Sequence, residues 1–291
     1  MKFDCLKYRF VCAAFALALV IASAWAYRYY GGFNYSVDFT GGTQVLLKFD
    51  KAVGAEAVKA LLAEHGWKGA DTRSFAANEV LVRVQEFSSD VYGVGEKIRV
   101  DLQKAMPGST VSVIGTDSVS QGVGGDLRWN AVKAVAIALL LMLLYVGVRF
   151  QFAFSVGAVT ALVHDALVIA AFFLLTRREI SIDVIGAILA TLGYSVNDTI
   201  VIFTKIRENL KKMRGASLEK VINVSIMETM RRTLLTSFST GLVVCSLIVF
   251  GGEILRNLSI TLLLGIIFGT YSSIFIASPI MLLFYKRTES H

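Results

Sequence analysis

The stretch GYSVNDTIVIFTKIRENL, Gly193 to Leu210, changes character half-way along. Its first part has the apolar spacing of a membrane helix, yet it carries Tyr194, Ser195, Asn197, Asp198 and Thr199; its second part turns basic at Lys205 and Arg207. An ionised carboxylate at the bilayer centre costs about 2.5–3.5 kcal/mol on insertion scales, so intramembrane acids are rare and mark ion pathways, proton relays or paired sites. Tyr194 and Asp198 stand one helical turn apart, as do Ser195 and Thr199, so each pair shares a helix face. Asp198 is therefore the principal ion-coupling candidate, with Tyr194, Ser195, Asn197 and Thr199 as supporting polar groups. For these four, a helix–helix hydrogen bond without a transport role is the plain alternative.

The apolar half of this stretch belongs to one of six runs long enough to span a bilayer, at residues 10–30, 129–149, 152–176, 182–203, 233–252 and 258–285. A span needs about 20 mostly apolar residues, and each run qualifies within the range that tilt allows. The chain has 291 residues, 55% of them hydrophobic, with a mean hydropathy of +0.63. Soluble domains average about 45–50% apolar residues, and here the excess is bunched, so the fold class is an α-helical polytopic membrane protein. The six spans are arranged as one, then a polar region at residues 31–128, then five more within residues 129–285. Short tails at residues 1–9 and 286–291 complete the division.

The formal charge of +7 does not indicate nucleic-acid binding, because the basic residues sit in short segments between apolar runs, where they act as topology signals. Lys2, Lys7 and Arg9 precede the first span, and Lys286 and Arg287 follow the last. The connection after Phe203 holds Lys205, Arg207, Lys211, Lys212, Arg214, Lys220, Arg231 and Arg232. The balance places both termini in the cytoplasm and the polar region outside; Arg177 and Arg178 are the one conflict. The N-terminal KYRFVCAAFALALVIASAWA also has the layout of a cleavable signal peptide, but its apolar run is long for one and it is read as an uncleaved signal anchor.

Within the polar region, Thr43–Phe49, Glu79–Gln85 and Thr110–Thr116 alternate like strands, and a weaker strand falls near residues 70–75. Helical spacing recurs at residues 54–66 and 91–105. The resulting β-α-β-β-α-β order is that of a ferredoxin-like domain. VDFTGGTQ, Val37 to Gln44, reads as a turn before a strand and lacks the GK[ST] of a phosphate loop.

Two further polar points lie in the spans. Arg232 opens the fifth in RRTLLTSFSTG and is the natural partner of Asp198, since consecutive antiparallel helices bring both into the inner half of the membrane; a boundary arginine reaching the interface is the alternative. In the third span, His164 reads as a packing histidine and Asp165 as the functional candidate. Gly157, Gly186, Gly193, Gly241, Gly265 and Gly269 mark sites where helices approach closely. Cys5, Cys12 and Cys245 form no CxxC, and the three histidines are scattered, so no metal or disulfide framework is expected. Nucleotide motifs and nucleophile triads are absent from the sequence, so the expectation is no enzyme and no cofactor, with energy drawn from a transmembrane ion gradient.

Four motifs in register, VDFTGGT, RFQFAFSVGAVTALVHD, GYSVNDTIVIFTKIREN and RRTLLTSFST, resemble the SecF side of the bacterial SecD–SecF family over nearly the whole chain. The resemblance implies an RND-type half-bundle in the bacterial inner membrane that works with SecD, the SecY channel complex, SecA and YajC on unfolded preproteins. It also implies proton or sodium coupling through Asp198 and Arg232, with Asp165 matching the family's HD pair. The sequence departs from the pattern at Thr204–Lys205, where an acid and a basic residue are usual, and at Gln151–Ala153. A small-molecule exporter half and a passive membrane scaffold or insertion chaperone are the competing readings.

Overall fold

The computed structural model describes residues 5–67, 69–86 and 91–289. Lys2, Ser290 and His291, and the side chains of Lys286 and Arg287, on which part of the topology reading rests, lie outside the described residues. The chain divides into two compact units, residues 35–132 and the remainder.

The first unit is built on a four-stranded sheet of β1 (Gly42–Phe49), β2 (Asp71–Ala76), β3 (Glu79–Val84) and β4 (Val111–Val119), with helices α3 (Ala55–Glu64) and α4 (Val91–Ala105). All pairings are antiparallel and the order is β2-β3-β1-β4. Along β1, Val45, Leu47 and Phe49 alternate inward, facing Val80 and Val82 of β3, Val58 and Leu62 of α3, and Val94, Ile98 and Leu102 of α4. Burying each such side chain is worth about 1.5–3 kcal/mol, and period two meets period three to four in one core.

VDFTGGTQ is more than a turn. Val37–Thr40 forms a single helical turn, α2, capped by Gly41 at φ 75°, whose N–H donates to the Val37 carbonyl at 2.8 Å. Gly42 then enters β1 at φ 117°, where an added Cβ would stand 2.5 Å from the Val84 carbonyl oxygen. Only glycine fits both demands there.

The second unit contains α1 (Arg9–Tyr30), the greater part of α5 (Gln121–Arg149), α6 (Phe152–Thr176), α7 (Ile182–Lys212), α8 (Leu218–Phe250), α9 (Gly252–Ser272), a π-helical turn Ser273–Ala277 and α10 (Ser278–Glu289). Six helical segments among the described residues are long and apolar enough to span a membrane, with α9, the π turn and α10 contributing one of them. Helices α6, α7 and α9 form the interior. Helices α1, α5 and α8 instead present Phe10, Leu17, Leu140, Leu144, Phe238 and Leu242 outward.

Three helices run further than hydropathy indicates. Helix α5 begins at Gln121, ahead of the apolar run 129–149 and within the stretch 31–128 that the sequence assigns to the polar region. The charged stretch 204–232 is not one connection, because α7 continues to Lys212 and α8 begins at Leu218, so residues 213–217 alone connect them. Polar side chains hold this extension: Asn209 Nδ2 donates to Ser225 Oγ (3.1 Å) and Glu228 Oε2 (2.9 Å), and Lys205 pairs with Glu208 and Glu228. The π turn has a cause in the sequence too. Pro279 lacks an N–H and its ring crowds the carbonyl four residues back, and the helix widens just before it. Ser278 Oγ donates back to the Ser273 carbonyl at 3.2 Å.

The conflicting arginines have a local role. Arg177 ends α6 in the left-handed region, at φ 54°, and its Nη1 donates to the Gly32 carbonyl at 2.6 Å while its guanidinium lies over the Tyr30 ring. Asn34 Nδ2 returns a bond to the Arg177 carbonyl at 3.0 Å, and Arg178 Nη1 donates to Asn257 Oδ1 at 3.0 Å. These cations thus bond a backbone carbonyl just past α1 and a side-chain amide of α9. Arg177→Ala is expected to cost about 2 kcal/mol through the lost charged hydrogen bond and ring contact, read as a lower melting temperature in detergent.

Candidate ion-coupling site in the membrane helices

Helix α7 starts at an N-cap, Ser181, whose Oγ accepts from the Val184 N–H at 3.4 Å. From there Thr191, Ser195, Asp198, Thr199 and Ile202 recur at helical spacing on its buried face. Asn197 falls on the exposed side, away from the other polar groups. The polar stripe thus divides into two nodes and one outlying amide.

The first node is centred on Asp165 of α6, a residue 1% exposed. Its Oδ2 accepts from Ser195 Oγ of α7 at 2.6 Å and from Ser272 Oγ of α9 at 2.9 Å, and its Oδ1 faces His164 Nδ1 at 3.3 Å. Beside it, Thr199 Oγ1 and Ser273 Oγ share a 2.8 Å hydrogen bond, and Ser273 also reaches the Ser195 carbonyl at 3.4 Å. One carboxylate therefore ties three helices together, with both of its oxygens engaged.

The second node is centred on Asp198, 4% exposed. Its Oδ2 is buried and has no hydrogen-bond partner among the described residues; the Tyr194 and Thr233 hydroxyls are likewise buried and unpartnered. Thr270 of α9 is its hydrogen-bonding neighbour, and Thr270 in turn shares a 2.7 Å bond with Ser237 of α8. Arg232 is near enough to act on Asp198 electrostatically, but no direct ion pair joins them and its side chain is exposed. Both residues stand about 20 Å along their helices from the α7–α8 connection, so they share a level in the bundle. Where the sequence suggests a pair, the structure has the two residues at one depth with no direct ion pair between them.

Close helix approach makes these nodes. An added Cβ on Gly269 would stand 2.9 Å from Ser195 Cβ, one on Gly265 would collide with Thr191, and one on Gly157 would stand 2.5 Å from the Ala277 carbonyl oxygen. Gly186, Gly193 and Gly241 meet open space instead, so half of the glycines read as packing sites are not packing sites within this chain.

A family model described as protein export membrane protein SecD/SecF, C-terminal, matches residues 100–287, and the SecD/SecF GG motif matches residues 31–53. The chain belongs to the SecD/SecF family. Its relatives include the protein translocase subunit SecF of Pseudomonas aeruginosa, 37% identical over 92% of this chain and 88% of that one. The SecF subunit of Gemmatimonas aurantiaca is 34% identical over 97% of this chain and 86% of that one. Among solved structures, SecDF from Thermus thermophilus, described as a translocon-associated membrane protein, superposes with a TM-score of 0.87 at 34% identity, over 98% of this chain. This chain spans 39% of that SecDF chain. With its six apolar helices, the protein is a multi-pass membrane protein of this family.

The family's GG motif region contains Gly41 and Gly42, which the structure explains by backbone conformation. The site residues that sequence reading missed are Ser272, Ser273, Thr270 and Ser237. FGTYSSIF, Phe268 to Phe275, did carry a trace of them, as a polar run within an apolar span. Serine and threonine bond back to their own helix carbonyls at little cost, so such a run is weak evidence until its neighbours are known. Among the described residues, no three His, Cys, Asp or Glu side chains group as metal ligands.

Proposed function

We propose that this chain is a non-catalytic accessory subunit of the Sec protein-export machinery that draws on the transmembrane proton or sodium gradient through Asp198. The observation that carries this reading is the buried, unpartnered Oδ2 of Asp198, with Thr270 beside it and Arg232 at the same level but unpaired. A carboxylate in that state gains by taking up a proton or a cation, and loses that gain when Arg232 closes on it. Alternation between the two arrangements couples ion passage to helix movement. Each elementary charge crossing roughly 100 mV supplies about 2.3 kcal/mol, enough to bias such a change.

The partner in this reading is SecD. The Thermus chain that this one matches is named SecDF and is more than twice as long, and the outward apolar faces of α5 and α8 suit a second set of membrane helices. Lys and Arg placement favours the inner membrane with both termini cytoplasmic. The sheet unit then faces outward and handles unfolded preprotein, in company with SecY, SecA and YajC.

The test is export of a reporter preprotein in cells depleted of their own SecF, comparing wild type with Asp198→Asn at equal membrane abundance. Asparagine keeps the shape and loses the ability to ionise, so export is expected to fall at least about tenfold. Wild-type export by Asp198→Asn would remove Asp198 from ion coupling and leave a passive scaffold as the better account.

A further inference from the structure

His164 is set differently from a packing histidine. It is 8% exposed, its Nδ1 faces Asp165 Oδ1 at 3.3 Å, and its Nε2 is buried with no partner among the described residues. The residue also lines an apolar groove of about 250 Å³ between α1 and α6, with Ala16, Val20 and Ser23 on one wall and Leu167 and Ala171 on the other. The groove extends along α1 from Ala16 to Tyr27, about 16 Å at 1.5 Å per residue. That is roughly half the hydrocarbon thickness of a bilayer. It therefore runs from the end of the bundle clamped by Arg177 to mid-membrane, where His164 and Asp165 stand.

We propose that His164 is a proton relay between this groove and Asp165, an inference that rests on the ion-coupling reading above. Neutral imidazole with its hydrogen on Nδ1 donates to Asp165 and leaves the Nε2 lone pair free. A proton from water entering the groove binds Nε2, forming imidazolium. The Nδ1 proton then passes to Asp165 Oδ1, leaving a neutral carboxyl and a neutral ring with its hydrogen on Nε2. Asp165 then releases its proton on the Oδ2 side, where the Ser195 and Ser272 hydroxyls stand, and a flip of the ring returns its hydrogen to the Asp165 side, so that one proton has crossed; reversal of the two transfers instead moves none. In this arrangement Nε2 is buried beside the groove, and the element that uncovers it is α1, of which only Cys12 and Ala26 are buried. The titratable groups around the ring are Asp165 on its own helix, Tyr271 of α9 with ring centroids 6.1 Å apart, Cys12 of α1 beside Tyr271, and Tyr27 of α1 in the groove. Helix α7 contributes the Ser195 hydroxyl through Asp165.

His164→Asn separates relay from structure, because the amide nitrogen can replace the Nδ1 donor but carries no titrating proton. Export by the full complex is measured across external pH of about 5.5–8, the range in which histidine titrates, with Asp198→Asn alongside. The expected result is export that declines with rising external pH in wild type, and export reduced about tenfold and insensitive to pH in His164→Asn. If His164→Asn matches wild type in level and pH profile while Asp198→Asn is inactive, the relay is wrong and ion coupling stands. If both variants export normally, the ion-coupling reading fails with it. Should His164→Asn not accumulate, Val20→Cys in a chain with its native cysteines changed to serine reads water access directly. Labelling by a small water-soluble maleimide is expected, and its absence in the working complex would overturn the relay.

Discussion

Gly265→Val is expected to leave no folded protein in the membrane. Helices α7 and α9 form the most extensive helix pair, and at Gly265 their separation is set by the lack of a side chain, since even one carbon atom there collides with Thr191. Lipid tails are as apolar as valine, so no hydrophobic gain offsets the forced separation; what holds the pair is van der Waals contact at short range. Moving α9 outward would also pull Ser272 from Asp165 and Thr270 from Asp198. Gly265→Ala is the milder form, with overpacking of about 1–3 kcal/mol and a melting temperature in detergent lower by about 5–10 °C. Gly186→Ala, on α7 itself, meets open space and is expected to melt at the wild-type temperature. Equal behaviour of the two alanine variants would sink the packing account.

Asp165→Ala and Asp165→Asn are expected to part company. Alanine removes the acceptor of Ser195 and Ser272 and the partner of His164 Nδ1 from a site that is almost fully buried. Ser272 has a second acceptor in the Gly269 carbonyl at 3.2 Å, so the loss concentrates on Ser195 and His164. At about 1–3 kcal/mol for each buried group left unsatisfied, the cost is roughly 2–6 kcal/mol, visible as early thermal unfolding in detergent. Asparagine keeps an oxygen for both serines, and the protein is expected to melt close to wild type. Its export in the depleted strain is nonetheless expected to fall about tenfold, because the amide holds charge and proton count constant. An Asp165→Asn protein that both melts and exports like wild type would make Asp165 a fastening between helices and nothing more.

The two acids show how far reading residues in order can go. Both were singled out because a carboxylate in an apolar run is expensive wherever its helix faces. Rank is another matter. The two differ in partners: Asp165 engages both oxygens with three side chains, whereas Asp198 has Thr270 as its hydrogen-bonding neighbour and one oxygen unengaged. Those partners come from α9, far along the chain, and their hydroxyls look harmless in a list of residues. Asn197 shows the reverse error, a polar residue next to Asp198 in sequence that turns out onto the exposed side.

The spans, the sheet unit between the first and second of them, and the strand and helix order inside that unit were all legible along the chain. Each depends on local patterns: about 20 apolar residues suffice for a span, and alternation or helical spacing over a few residues suffices for a strand or helix. Rotation of each membrane helix about its own axis was not legible. In water an amphipathic stripe announces the buried face, but in lipid the inward and the outward face of a span are both largely apolar, and hydropathy does not choose between them. That choice was made by contact between distant elements. Glycines at 157, 265 and 269 let backbones close while those at 186, 193 and 241 do not, Arg177 reaches the Gly32 carbonyl, and Ser195 is turned to Asp165. Steric fit and hydrogen-bond satisfaction are properties of pairs of helices, and pairs exist only once the chain has folded.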